Sequence, residues 1–351
     1  MRARRLEDVV YDPALVDGAV NAVFTCLAVQ PGDRCVLITD HATRTVGAAL
    51  ADQFMSATDA FEAFLLEDYA SRPLEGFPAP LAAALEEADV SCYAASAAPR
   101  ELGARIMMTD IVNRRRIRHA HMVTISERIM REGMRADFPQ VDALSRWLRE
   151  RAREAREIRV TSPAGTDLVA TFSPSIQWLV TSGMISVDVW GNLPGGEVFT
   201  CPERVDGMYV CDGVLGDWLG AEVGILRETP LAVTVENSRI VEVTCRRSEV
   251  RDAFLDYISH DPNGDRLGEF AFGTNLAVRD VIGEILQDEK MIGVHIAFGH
   301  PYGEHTGAAW TAGSHIDLVG CGSSAWLDGE AVMEEGRYQV DIETFAMPAG
   351  R

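Results

Sequence analysis

Three stretches decide how this chain is read: GEFAFGTN at residues 268–275, DEKMIGVHIAFGHPYGEHTG at 288–307 and SHIDLV at 314–319. Successive side chains of a strand point to opposite faces. In the first stretch Phe270 and Phe272 therefore take one side and Glu269 with Ala271 the other. The second sets His295 beside Ala297 and turns Ile296 and Phe298 to the core; the third puts His315 and Asp317 on one face, with Ile316 and Leu318 opposite. Each of three predicted strands presents a histidine or carboxylate among small neighbours that leave room for a ligand. A metal ion is the most economical occupant.

Outward from these strands the texture is uniform back to residue 158. Short alternating runs at 158–161, 168–172, 186–190, 208–211, 231–236 and 239–244 are separated by Gly, Pro, Asn and Asp turns. Asp328-Gly329 is a strong hairpin turn, and helices are expected over 247–258 and near 275–286. Before residue 158 the pattern is different. Apolar residues at helical spacing (Leu15, Val16, Ala19, Val20, Val23, Phe24) predict a helix over 13–30, followed by a buried strand at 35–40. Helix at 43–55, strand at 60–66, helix at 80–87 and strand at 90–94 continue the alternation, which indicates a doubly wound parallel sheet. A helix with Val141, Leu144, Leu148 and Ala152 on one face opens at Pro139, and its charged end marks a boundary. The expected fold class is α/β: an N-terminal doubly wound α/β domain over 1–157, then a β-rich α+β metal-binding domain over 158–351.

Charge narrows the partners. A net charge of −21 on 351 residues argues against nucleic acid or an anionic membrane as partner, because both would be repelled. The exception, RRRIRHAH at 114–121, is read as a solvated helix face or an interface patch. Seven cysteines without a Cys-x-x-Cys pair suit reduced thiols. No apolar run is long enough for a signal peptide or a membrane span, so the expected location is cytoplasmic. Gly-x-Ser-x-Gly and His-Glu-x-x-His are absent. Gly320-Cys321-Gly322 is read as a glycine turn, Cys201 as a buried structural thiol, His119 and His121 as surface residues, and Glu304 with His305 as a solvated loop beside the site. His41, after the first strand, falls where α/β domains often bind ligands.

The pieces GNLPGGEVFTCPE (191–203), GEFAFGTN, DEKMIGVHIAFGHPY and SHIDLV resemble the thermophilic metalloaminopeptidases of the leucyl aminopeptidase PepS type. The resemblance covers about 191–318 well and the N-terminal domain in outline. It implies a cytoplasmic homodimeric exopeptidase acting on a small peptide or aminoacyl substrate, with two divalent metal ions (zinc, manganese or cobalt). It also implies a metal shell of Glu197, Glu269, His295, Tyr302, His315 and Asp317, in which Glu197, Glu269 and Tyr302 take catalytic parts. The segment from Tyr302 to His315 is shorter than the family's. A mixed Glu, His and Asp set suits those metals better than calcium. A related scaffold, that of the dihydroxypyridine ring-opening dioxygenases, uses one iron and a histidine where this chain has Glu269, so a dinuclear hydrolytic site is favoured. A specialised metal-dependent amide hydrolase and a non-catalytic binding descendant are the remaining alternatives.

Overall fold

The computed structural model describes residues 4–97, 101–189 and 191–345. The chain divides into two compact units. The first comprises 1–138 with 183–195, and the second 139–182 with 196–351. The expected boundary at 157 lies after the helix Phe138–Ala152, whereas that helix packs Leu144, Leu148 and Ala152 into the core of the second unit.

The first unit is built on a parallel sheet in the order Phe61–Leu65, Cys35–Thr39, Val90–Ala94, Arg118–His121, Gly191–Asn192. Cys35–Thr39 and Val90–Ala94 are buried along their whole length, as central strands covered on both faces must be. In chain order the first strand, Cys35–Thr39, lies between the second and third, so the chain steps to one side of it and then crosses back to the other, and the sheet is doubly wound. At that reversal the buried Asp40 accepts from Thr43 and Ser96 and pairs with Arg72, whose guanidinium also grips the buried Glu101.

Three sequence expectations fail in this unit. The segment 186–190 is not a strand: the Ser186 hydroxyl accepts from the Asp188 and Val189 amides, which makes a turn. Trp190 lies outside the described residues. The basic run 114–121 is not one solvated face. Arg114 and Arg115 end the helix Leu102–Arg115, Arg116 caps it in the left-handed region (φ 56°), and Arg118–His121 is a strand of the sheet. His119 and His121 are consequently buried, with Ser91 Oγ 2.8 Å from His119 Nδ1 and the two imidazoles 3.2 Å apart.

The second unit holds two antiparallel sheets. The larger runs Arg239–Cys245, Leu231–Glu236, Arg204–Cys211, Asp167–Thr171, Glu157–Thr161, Ser324–Leu327, Glu330–Glu334, Arg337–Tyr338. The smaller runs His315–Val319, Gly293–Gly299, Leu267–Gly273, Glu197–Thr200, Leu179–Val180. Asp328 and Gly329 both have positive φ (48° and 88°), which is the hairpin turn expected from the sequence. Phe270, Phe272, Ile296, Phe298, Ile316 and Leu318 all enter one apolar core, with Trp178 edge-on to Phe270. The alternation read from the sequence thus assigns the core face correctly.

The helix expected over 275–286 does not form; only Ile285–Asp288 is helical. Asp288 takes the amides of Ile282, Gly283 and Glu284 on its carboxylate at 2.7–3.1 Å, and Asn275 takes that of Ala277. Side-chain acceptors replace the helical carbonyl ladder. All seven cysteines are free, and among the described residues no helix is long and apolar enough to cross a membrane.

Candidate metal centre

Neighbouring rungs of the small sheet bring the candidate residues together. Glu269 is paired with Ala297, and Ala297 with Asp317, so the two carboxylates flank a single methyl group across three strands. His295 opposes Ala271, and Glu197 opposes Gly273 at the start of the adjoining strand. Alanine and glycine are what keep this face open.

Five of the six expected residues fall into two overlapping triads. Ligand atoms of Glu197, Glu269 and His295 lie within 4.8 Å of one another, as do those of Glu269, His315 and Asp317. His295 Nε2 is 2.9 Å from Glu197 Oε1 and 3.5 Å from Glu269 Oε1. His315 Nε2 is 3.4 Å from Asp317 Oδ1 and 3.9 Å from Glu269 Oε2. The other ring nitrogen of His315 meets the His300 carbonyl at 3.0 Å, an outer contact that orients a ligating imidazole. Tyr302 covers the site, its ring 5.0 Å from that of His315 and 6.0 Å from that of Phe199. It holds a left-handed backbone (φ 49°), a conformation a bulky residue rarely adopts. Glu304 and His305 are exposed in a short helical turn, outside every described metal-capable group.

Sequence reading missed Glu289 and Lys290. Glu289 forms a third triad with His295 and Asp317. Lys290, 1% exposed, puts its ammonium 2.6 Å from both Glu197 Oε2 and Glu289 Oε1. The signal was present as a charged triplet, Asp288-Glu289-Lys290, directly before a strand with a metal-ligand pattern.

The electrostatics separate these groups. Burial pushes Glu269 up, with the adjacent Glu197 charge adding to it. Burial acts the same way on Glu197, but the Lys290 ammonium and His295 overcome it and hold that carboxyl well below its usual range. Burial raises Glu289 to about 8. Both histidines are raised to about 10: burial opposes charge, and the facing carboxylates outweigh it. Two neighbouring carboxylates driven in opposite directions are typical of sites built for proton chemistry.

These residues fit a divalent ion. His295 Nε2 is buried without an aligned hydrogen bond despite its nearness to Glu197. Lys290 reaches Glu197 and Glu289, while Glu269 and Asp317 face only imidazoles, so a divalent ion would supply compensating charge where burial makes it most needed. Imidazole with carboxylate is the donor set of zinc, manganese and cobalt.

Comparison with known proteins agrees. None of the curated protein sequences compared with the chain matches it. The fold is shared with two solved structures: 2,5-dihydroxypyridine dioxygenase from Pseudomonas putida KT2440 (TM-score 0.67, 17% identity, covering 95% of this chain and 99% of that one) and wild-type AmpT from Thermus thermophilus (TM-score 0.65, 19% identity, 93% and 99%). The model of the thermophilic metalloprotease (M29) family matches residues 136–328, more than half of the chain, a range within which the six expected ligands fall. The chain therefore belongs to the thermophilic metalloprotease (M29) family, as a metallohydrolase that uses divalent metal.

Proposed function

We propose that this metallohydrolase is an aminopeptidase, cleaving N-terminal peptide or small aminoacyl amide bonds at a centre of two divalent ions, zinc, manganese or cobalt. The observation that carries the reading is the overlap of the triads: Glu269 belongs to two of them and can serve both ions. Charge supports the same number. With the histidines neutral as ligands and the carboxylates ionised, as metal binding would require, Glu197, Glu269, Glu289 and Asp317 against Lys290 leave three negative charges, so one divalent ion would undercompensate while two would leave room for one further anion.

Divalent ions at such a site supply carbonyl polarisation and water activation at neutral pH. The chain's own part is to hold them on Glu197, Glu269, His295, His315 and Asp317, with Tyr302 over the opening. Burial, with the surrounding carboxylates adding to it, raises the Tyr302 phenol well above its usual range. It therefore keeps its proton and donates a hydrogen bond to the oxygen on which charge develops. A carboxylate of the shell left free of metal binds the substrate's α-ammonium, which selects the peptide N-terminus. Support for a homodimer comes from the family resemblance, and seven free cysteines fit a cytoplasmic location.

Glu269→Ala and His315→Ala test the site. Each is expected to abolish hydrolysis of aminoacyl amides and to lower metal content while the chain stays folded. Full activity and full metal content in both would dismiss the assignment. Metal analysis of the native chain separates the neighbouring chemistry: about two zinc, manganese or cobalt per chain supports the hydrolase, and one iron supports a ring-opening dioxygenase. A monomeric mass by light scattering would refute the dimer.

A further inference from the structure

Lys290 is buried at the centre of the candidate site, yet it cannot ligate a metal and no hydrolytic step requires it. Its placement depends on two close backbone approaches. A Cβ at Gly273 would fall 1.8 Å from the Met291 carbonyl oxygen and 2.8 Å from the Lys290 carbonyl carbon. Gly196, at φ +126°, likewise meets the Asn275 backbone at 2.7 Å. The two glycines let the 275–292 segment lie directly on the strand rung that carries Glu197, and Asp288 stiffens that segment by holding three of its amides. The ammonium then engages Glu197 Oε2, which Thr181 also reaches at 3.2 Å, while Glu197 Oε1 is left beside His295 Nε2. The same ammonium holds Glu289 in its triad with His295 and Asp317.

We propose that Lys290 is a positioning residue of the metal centre, tying back one oxygen of Glu197 and anchoring Glu289, so that Glu197 offers a single oxygen to the ion. This rests on the metallohydrolase reading of the site. The alternative, that Lys290 is only a counter-charge among buried carboxylates, makes the opposite prediction. Removing a mere counter-charge leaves a more negative site and tightens divalent binding. Removing a positioning group weakens binding, because loss of an outer partner to a ligand typically costs about 10–100-fold in metal affinity.

The test is a cobalt titration of the chelator-stripped full chain, followed by the visible absorption of bound cobalt. Lys290→Met is expected to weaken cobalt binding about 10–100-fold and to change the absorption per cobalt bound, since Glu197 is then free to turn. Lys290→Arg keeps the charge but moves the donor atoms; it is expected to weaken binding as well, and it decides the matter if the methionine variant does not fold. Unchanged or tighter binding with a spectrum superimposable on the wild type would overturn the proposal and leave the metal reading standing. A wild-type chain that takes up no cobalt would overturn both together.

Discussion

Gly273→Ala tests whether the metal centre depends on backbone packing as well as on ligands. Gly273 has no positive φ, so alanine adopts its conformation without strain and the whole effect is steric. The added Cβ would stand 1.8 Å from the Met291 oxygen, where real Cβ atoms come no closer than about 3.0 Å. Backbone must therefore separate by more than about 1 Å, while ligand distances tolerate about 0.2 Å. That shift carries Lys290 and Glu289 away from Glu197. Overpacking of this kind costs about 1–3 kcal/mol, which in a unit of this size lowers the melting temperature by about 2–12 °C at 2–4 °C per kcal/mol. Melting with and without chelator, together with metal content per chain, reads both consequences. The wild type should melt lower once stripped, because an ion that binds only the folded state stabilises it; the variant should lose most of that difference along with its metal. Wild-type metal content and an unchanged melting point would show that the 275–292 segment is not held as described.

Two further perturbations concern the first unit. Arg72→Met strands the buried carboxylates of Asp40 and Glu101 without their shared cation, and is expected to cost about 3–5 kcal/mol in urea or thermal unfolding; a loss under about 1 kcal/mol would refute the network. Burial lowers His119 to about 3, below its ordinary value near 6.5 when unfolded. In that interval the unfolded chain binds the proton and the folded chain does not. Stability from this residue is therefore complete above about pH 6.5 and is lost as pH falls toward 3, by at most about 1.4 kcal/mol per pH unit. His119→Asn should flatten that part of the stability profile, and an unaltered slope would count against the assignment.

What was legible in the sequence was what alternates. Phe270, Ile296 and Phe298 against Glu269, His295 and Asp317 is a period-two pattern, which gives the core face and sets the candidate ligands together on the other. Glu197 and Tyr302 came instead from family resemblance, since neither sits in a pattern that periodicity can read. Glu289 and Lys290 escaped because their approach depends on two glycines elsewhere in the chain, Gly196 and Gly273, a long-range fact with no local signature. The missing helix over 275–286 has a related cause: its apolar spacing is helical, but Asp288 captures three amides that a helix would have used. His119 and His121 were misplaced because polar residues in a central strand look like loop until the sheet around them is known.

The small sheet also bears on how such a protein can change. Its rungs alternate: Phe270, Ile296 and Leu318 share one that holds the chain together, and Glu269, Ala297 and Asp317 share the next, which faces the candidate metal site with Ala297 as spacer between two carboxylates. Selection can therefore rewrite the outward set one position at a time while the aromatic and aliphatic side chains behind it keep the backbone where it was. Replacing an outward glutamate by another ligand alters the preferred metal and the accessible reaction, with little penalty to folding. The scaffold separates heredity of shape from heredity of chemistry at the width of a single strand.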